Sequence, residues 1–327
     1  MIIGGLGTAR ITEPALVQPA SKLEGCCIVG IASRHLGTAK SFASKHGIAR
    51  AYGSYEELLA DPQVELVYNP LPINLHAKWT IRALEAGKHV LCEKPFAMNQ
   101  NEAEAMLEAA NQSGRRLIEA FHYRYHPGFI QMLEFVRGGV IGDIKRVVAR
   151  FTVPIADKDG TEIRHQSETG GGAFMDLGCY PLHWARTVFG REPKSFNAKA
   201  ELTARGVDET MVADLRFEGG GAASLYASMA ESQSFEARLF IEGTAGQIEF
   251  NNPLAPQLGS RLVVSRNGQS EEIIVSLAPT YETQLAAVIE AIETGTPLPT
   301  EGEDTLGQQI ALDAVYDAAG LRDLRFR

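Results

Sequence analysis

The stretch His89-Val90-Leu91-Cys92-Glu93-Lys94-Pro95-Phe96 decides the fold. Residues of strand character run straight into Glu-Lys-Pro. Proline has no N–H and a fixed φ, so ladder pairing stops there and Lys94 is held extended at the strand's end. In an open parallel sheet, ligands bind just beyond the carboxyl ends of the strands, and Lys94 would then stand at the mouth of a cleft. A surface lysine paired with Glu93 is the competing reading. The flanking sequence decides between them.

On the N-terminal side, Met1 to Gly4 reads as a strand feeding the glycine-rich turn Gly5-Leu6-Gly7-Thr8-Ala9-Arg10-Ile11. A helix should follow through Val17, with Pro14 in its first turn. Cys26–Ser33, Ala51-Tyr52, Val64–Asn69, His89–Cys92 and Leu117–Phe121 read as further strands. Between them lie helices at Leu36–His46, at a short segment capped by Ser54 and Glu57, at about Leu75–Ala86, and at Glu102–Gln112 behind Asn99. Strands alternating with helices at this spacing imply a parallel sheet with right-handed crossovers, the doubly wound Rossmann arrangement of a dinucleotide-binding domain.

After His126-Pro127 opens one more helix, to about Arg137, the period changes. Val147–Val153, Phe196–Leu202, Met211–Phe217, Ala222–Met229, Phe235–Ile241, Leu262–Ser265 and Ile273–Ser276 read as strands joined by glycine turns. That is an α+β domain with a large, mostly antiparallel open sheet. A helical stretch follows Gly170-Gly171-Gly172 to Val188, and two late helices, about Tyr281–Thr294 and Glu303–Ala319, close the chain. The expected division is residues 1–121 as an NADP-binding Rossmann domain and 122–327 as a domain for substrate and oligomerisation. The open sheet has a face to cover, which suits a homodimer or a higher homo-oligomer.

The 327 residues are 45% hydrophobic, enough for two proper cores, and the net charge of −9 argues against nucleic acid as a partner. Cys26, Cys27, Cys92 and Cys179 form no C-x-x-C pair, which reads as reduced thiols in a cytoplasmic protein rather than a disulfide frame or zinc site. The apolar opening is too short for a signal segment, and no apolar run approaches a spanning helix, so no membrane is expected. No metal is expected: His122 and His126 are four apart, but Pro127 and the lack of a carboxylate tell against ligation.

Gly5 permits a tight turn and Gly7 a close approach of backbone N–H groups to a pyrophosphate. Arg10 stands where the fingerprint has a third glycine. Ser33-Arg34 follows the second strand where an NAD site would carry Asp or Glu. A guanidinium there holds a 2′-phosphate bidentately, so NADP is expected over NAD. At the end of the fourth strand, Leu71, Pro72, Asn74 and His76 lie on the expected nicotinamide side. Asn74 reads equally as an N-cap and His76 as a packing histidine. Asp176 and Tyr180 are four apart and share a face if Gly178 and Pro181 leave the helix continuous. Arg124, in the aromatic and basic junction Phe121–Pro127, either anchors cofactor or substrate or fastens the domains.

Taken together, Gly5–Ile11, Glu93-Lys94-Pro95, Glu119–Pro127, Gly170–Tyr180 and Gly243-Thr244-Ala245-Gly246 resemble the glucose–fructose oxidoreductase / inositol dehydrogenase (Gfo/Idh/MocA) family. They look most like its branch of dimeric dihydrodiol dehydrogenases and NADP-dependent D-xylose dehydrogenases. The resemblance implies a Lys94 that precedes a proline often found cis. It implies that Lys94 and the pair Asp176 and Tyr180 flank substrate and nicotinamide. Inositol-dehydrogenase-like members carry histidine where Tyr180 stands, which points away from inositol. The expected cofactor set is then Gly5, Leu6, Gly7, Thr8, Ala9, Arg10, Ile11, Ser33, Arg34, Leu71, Pro72, Asn74, His76, Glu93, Lys94 and Arg124. The expected catalytic set is Lys94, Tyr180 and Asp176. The expected reaction is hydride transfer between nicotinamide C4 and a secondary alcohol or hemiacetal carbon of a sugar, polyol or dihydrodiol. Either Tyr180, with Lys94 a cation favouring its phenolate, or Lys94 itself moves the proton; Asp176 hydrogen-bonds the substrate hydroxyl or orients the pair, and the polar loop Pro154–Thr169, including Arg164 and His165, shapes the pocket. Two other readings stand: a glycoside hydrolase using tightly held NAD, and a nucleotide-binding regulatory protein without turnover.

Overall fold

The computed structural model describes residues Met1 to Leu324. By internal packing the chain divides into two units. One is Met1–His122 together with Tyr281–Leu306, and the other is Tyr123–Thr280 together with the chain from Gly307 onward. The division is therefore not a single cut after residue 121.

The first unit is built on six strands: β1 (Ile2–Leu6), β2 (Cys27–Ala32), β3 (Arg50–Tyr52), β4 (Leu66–Asn69), β5 (His89–Cys92) and β6 (Leu117–Glu119). They pair in parallel in the order β3-β2-β1-β4-β5-β6. This is the doubly wound Rossmann sheet, and the order reverses at β1/β4. Helices His76–Glu85 and Gln100–Ser113 bury Trp79, Ala83, Leu84, Ala103 and Met106 against one face. On the other, Leu16 and Ala20 meet Leu66, Tyr68, Leu91 and Ile118. Leu285 and Val288 of the helix Thr280–Thr294 complete that second layer. Behind them Thr300 and Glu301 fasten the exposed edge of β6. Glu119 N–H donates to Thr300 O at 2.9 Å, and the Arg116 guanidinium holds Glu301 at 2.6 and 3.2 Å. Covering that edge removes a template for unwanted pairing.

Ser54 and Asn99 cap their helices as the sequence predicts, each accepting from the backbone N–H three residues on. The first helix differs from expectation. It runs as a π turn over Glu13–Val17 and continues through Gln18–Ala20.

The second unit is an open sheet of eight strands: β7 (Ile144–Thr152), β8 (Ser195–Leu202), β9 (Asp208–Arg216), β10 (Ala222–Ser228), β11 (Glu236–Gly243), β12 (Gly246–Asn251), β13 (Arg261–Arg266) and β14 (Gln269–Ile273). The order is β14-β13-β12-β11-β7-β10-β9-β8, antiparallel except for the parallel pair β7/β10. Period-2 alternation puts Val147, Ala149, Phe151, Met211, Ala213, Leu215, Leu225, Leu239 and Ile241 on one buried face. The helical stretch Phe174–Phe189 packs there and is buried nearly all round, Trp184 included.

Two strand expectations are corrected. β12 was not anticipated, and the last strand is Gln269–Ile273 rather than Ile273–Ser276. The second correction follows from turn chemistry. Asn267 and Gly268 take positive φ of 52° and 74° in a two-residue turn, which pairs Arg266 with Gln269 and fixes the register at once. Val275 instead leaves the sheet and packs against Gly128, where an added Cβ would lie 2.6 Å from its Cγ1. Among the described residues no helix is long and apolar enough to cross a membrane.

Candidate active site

Each unit carries part of the predicted site, beginning at the carboxyl end of the parallel sheet in the first. There β1 runs out at Leu6 and Gly7 turns the chain with φ +80°, its N–H donating to Ala32 O at 2.8 Å. A side chain at Gly7 would be strained by that φ, and its Cβ would lie 3.0 Å from Leu71 Cδ2. The bare backbone at this turn fits a cradle for a pyrophosphate. Thr8, Ala9, Arg10 and Ile11 follow, with Arg10 exposed, before the helix opens at Thr12 and Glu13.

Ser33 and Arg34 come directly after β2. Ser33 N–H is tied to Tyr52 O at 3.1 Å, and Arg34 is exposed. Tyr55 stands beside Gly7, with its hydroxyl 4.0 Å from where a Cβ would lie. Burial pushes the Tyr55 phenol up, and the positive charge of Arg34 opposes the shift. Gly7, Tyr55, Leu71 and Arg34 thus gather at one end of the sheet, with two exposed guanidinium groups, Arg10 and Arg34, suited to phosphates.

Pro72 starts the short turn Ile73–Leu75, and Asn74 within it is exposed. Asn74 caps neither this turn nor the following helix. His76 takes the packing alternative. It is 1% exposed, with Nε2 2.7 Å from Leu71 O and Nδ1 3.1 Å from Pro95 O. Both ring nitrogens face backbone carbonyls; as a neutral imidazole it donates to one of them, and the ring clamps the β4 turn to the β5 turn.

Burial lowers the His76 pKa to about 4, against carbonyls that favour the cation. The unfolded chain then takes up a proton near pH 6.5 that the folded chain refuses. Stability from this group is full above pH 6.5, falls as pH drops toward 4, and changes no further below that. The loss is about 3 kcal/mol at most. Urea unfolding between pH 7 and pH 4 checks it. His76→Leu should be weaker at pH 7 but flatter with pH, and an unchanged slope would refute the assignment.

Asn69, which the sequence reading passed over, is the second clamp. It is fully buried; its Nδ2 donates to Thr80 Oγ1 at 3.0 Å, and its backbone O accepts from Glu93 N at 3.0 Å. A polar residue closing an apolar strand just before Pro70 was the signal available.

Glu93 is buried as well. Its Oε1 accepts from the Tyr68 hydroxyl at 2.8 Å, and its Oε2 accepts from Lys94 N at 3.3 Å. Glu93 therefore anchors the backbone that carries Lys94. Lys94 is half-buried, and its bond to Pro95 is cis.

In the second unit, Asp176 lies in a π turn, Phe174–Gly178, that runs unbroken into the helix Cys179–Phe189 bearing Tyr180. Gly178 and Pro181 do not interrupt it. The π turn packs five residues into a wider ring, a local irregularity frequent at functional sites. Tyr180 is 4% exposed among the rings of Phe151, Tyr123 and Trp184, with centroids 5.4, 6.0 and 6.4 Å away. Asp176 Oδ2 accepts from Arg164 Nε at 2.7 Å. Arg124 sits half-buried in the short turn His122–Tyr125.

Residues 1–121 match the family model described as an oxidoreductase family with an NAD-binding Rossmann fold, and residues 129–249 match the GFO/IDH/MocA C-terminal domain. The chain belongs to the GFO/IDH/MocA family. Among its relatives is a D-xylose 1-dehydrogenase (NADP(+)) of Haloferax volcanii, 32% identical over 98% of this chain and 97% of that protein. A trans-1,2-dihydrobenzene-1,2-diol dehydrogenase of Xenopus tropicalis is 36% identical over 68% of this chain and 66% of its own. A solved structure of KijD10, a 3-ketoreductase from Actinomadura kijaniata in complex with NADP and TDP-benzene, superimposes with TM-score 0.87. It is 29% identical, and the match covers 97% of each chain. As a GFO/IDH/MocA oxidoreductase this protein carries the Lys94-Pro95 turn on its Rossmann unit and the Asp176 and Tyr180 pair on the other.

Proposed function

We propose that this oxidoreductase is an NADP-dependent dehydrogenase or reductase acting on a secondary alcohol or hemiacetal CH–OH group of a sugar, polyol or dihydrodiol. The observation that carries the reading is Lys94, held by a buried Glu93 and the His76 clamp at the carboxyl end of β5, in the same sheet end as the bare Gly7 turn. The related xylose and dihydrodiol dehydrogenases supply the substrate class.

Gly5, Leu6, Gly7, Thr8, Ala9, Arg10 and Ile11 would hold the pyrophosphate. Ser33 and Arg34 would hold the 2′-phosphate, and Leu71, Pro72, Asn74 and Arg124 would line the nicotinamide side. When bound, NADP supplies C4 of its nicotinamide as the hydride donor or acceptor. The chain's own residues manage the proton and the position. Tyr180 Oη takes the hydroxyl proton during oxidation and returns it during reduction. A free phenol titrates near ~10, so it needs a cation at hand, and Lys94 Nζ fills that role while polarising the substrate oxygen. Asp176 orients a neighbouring hydroxyl as an acceptor.

Steady-state assay with NADPH and NADP⁺ over pentoses, hexoses, dihydrodiols and dicarbonyls tests this. Turnover of at least one class is expected. Arg34→Ala should raise KM for NADPH at least about tenfold and leave KM for NADH nearly unchanged, because the 2′-phosphate contact is charge-assisted. Equal effects on both cofactors would reject Arg34 as the discriminating residue.

The uncovered face of the eight-stranded sheet supports a homodimer. It mixes half-buried or exposed Val148, Phe240 and Val212 with Arg150, which stacks 4.1 Å over the Tyr226 ring. Arg146–Glu242, Arg150–Glu236 and Arg238–Glu249 pair across it. Sedimentation velocity at micromolar concentration is the check, and a monomer would contradict it. All four cysteines are free thiols, which supports a reducing, cytoplasmic location; cell fractionation tests that.

A further inference from the structure

We propose that the amino end of the Rossmann sheet carries a separate anion site, a cleft that takes the phosphate group of a small phosphorylated organic molecule between Lys88, His89 and Arg115. The site does not depend on the dehydrogenase reading.

Lys88 precedes β5 and His89 opens it, Arg115 stands two residues before β6, and Glu65 directly precedes β4. All four lie at the amino ends of their strands. Gly7, Arg34 and Lys94 follow the carboxyl ends of β1, β2 and β5, so Lys88 and Lys94 flank β5 at opposite ends. The strand His89–Cys92 puts roughly 13 Å between them at about 3.3 Å per residue. The cleft has a volume of about 720 Å³, within the range of small-molecule sites. Leu59, Val64 and Ile292 give it an apolar wall.

Its polar groups hold more donors than acceptors. Arg116 N–H donates to His89 Nδ1 at 3.0 Å, and Arg115 Nη1 lies 3.4 Å from His89 Nε2. Burial, followed by the charges of Arg115 and Arg116, holds the His89 pKa below its ordinary value against Glu65, so the ring is neutral at pH 7. A neutral imidazole has one lone pair, and Arg116 N–H takes it. Nε2 then carries the proton and faces a second donor. An oxyanion set between Nε2–H and the guanidinium accepts from both.

Lys88 adds a third donor. It is 7% exposed, and its Nζ spends one of three protons on Asp61 O at 2.8 Å. The Asp61 carboxylate is engaged elsewhere, by Arg50, the Tyr52 hydroxyl and Gln63 N–H. Among the described residues neither Lys88 nor Arg115 forms an ion pair, whereas the Arg116 guanidinium is held by Glu301. Nor are the two cations consumed in capping the helix His76–Glu85, which ends beside the cleft. Its last carbonyls are taken by backbone: Ala86 N–H donates to Arg82 O at 3.0 Å, Gly87 N–H to Leu84 O at 2.8 Å and Lys88 N–H to Ala83 O at 3.0 Å. Glu65 is the acid lining the cleft, and its Oε2 accepts from Ile2 N–H at 2.7 Å. Lys88 and Arg115 against Glu65 leave one positive charge. Three converging donors suit a tetrahedral oxyanion, and the apolar wall suits the carbon body of its ester.

Phenyl phosphate is the probe, titrated by calorimetry into the full chain with and without saturating NADP. Saturable binding with a Kd below about 1 mM is expected in both cases, and the His89 imidazole ¹⁵N resonances should shift with it. Phenol, which lacks the phosphate, should bind at least about tenfold more weakly. Arg115→Ala, a change at an exposed side chain that the fold does not need, should weaken phenyl phosphate at least about tenfold, and Arg115→Lys should recover part of the loss. Glu65→Gln, which removes the negative charge, should tighten it. Absent binding, displacement by NADP, equal binding of phenol, or an unchanged Kd in Arg115→Ala overturns the site.

Discussion

Lys94→Met and Tyr180→Phe should each leave a folded protein that still binds NADPH but has lost almost all turnover. The expected fall in kcat/KM is about 10²–10³-fold for Lys94→Met, the scale of removing one electrostatic donor from a reacting oxygen. For Tyr180→Phe it is about 10²–10⁴-fold, the scale of general acid/base work. Folding should survive because neither change opens a cavity. Methionine fills most of the volume of the half-buried lysine stem, and phenylalanine keeps the ring contacts to Phe151, Tyr123 and Trp184. If Lys94 acts by favouring the Tyr180 phenolate, the two act as a unit. The double variant should then be scarcely worse than the weaker single variant, because effects within one constellation are not additive. Circular dichroism and NADPH fluorescence establish folding and binding, and stopped-flow at saturating cofactor measures the step. Near-full turnover in both single variants would remove these residues from the mechanism.

The first unit was largely legible because its signals are local. Six strand–helix repeats, the Gly5–Ile11 turn and Glu93-Lys94-Pro95 each announce themselves within a dozen residues, and the sheet order follows from parallel crossovers. What the sequence hid is non-local or directional. The return of Thr280–Thr294 to the first unit depends on Leu285 and Val288 finding a face made near the chain's start, and on Arg116 meeting Glu301 across 185 residues. Residue type alone does not say which way His76 or Glu93 points, and both turned inward to hold the backbone under Lys94. Neither π turn has a sequence signature. Gly178 and Pro181 even argued for a break where the helix continues. The Asn267-Gly268 turn was a readable signal that a purely hydrophobic reading of Ile273–Ser276 overrode.

The other large effect is expected at Asp208, a residue with no motif around it. Asp208 is fully buried at the start of β9, and its Oδ2 accepts from Phe174 N at 2.6 Å. Its Oδ1 accepts from the Tyr316 hydroxyl at 2.7 Å, while Met175 N–H donates to that hydroxyl at 3.2 Å. Carboxylate and phenol thus satisfy the first N–H groups of the helical stretch that carries Asp176 and Tyr180, where negative charge is also favoured by the helix dipole. Gly172, at φ +125°, yields the space: a Cβ there would lie 2.2 Å from Asp208 Oδ1. Asp208→Ala removes the acceptor of the Tyr316 O–H and of the Phe174 N–H, and should cost about 3 kcal/mol, within the range for losing charged hydrogen bonds in a core. Tyr316→Phe keeps the Phe174 contact and should cost about 1 kcal/mol. In a Trp79→Phe background Trp184 is the sole tryptophan and reports urea unfolding of this helix directly. Loss of the anchor should also loosen Asp176 and Tyr180, lowering kcat at least tenfold with KM for NADPH unchanged, since the proposed cofactor residues of the Rossmann sheet are untouched. An Asp208→Ala protein of native stability would show that the π turn is held by its packing alone. One that is destabilised yet turns over at the native rate below its unfolding transition would show that helix anchorage and chemistry are separate.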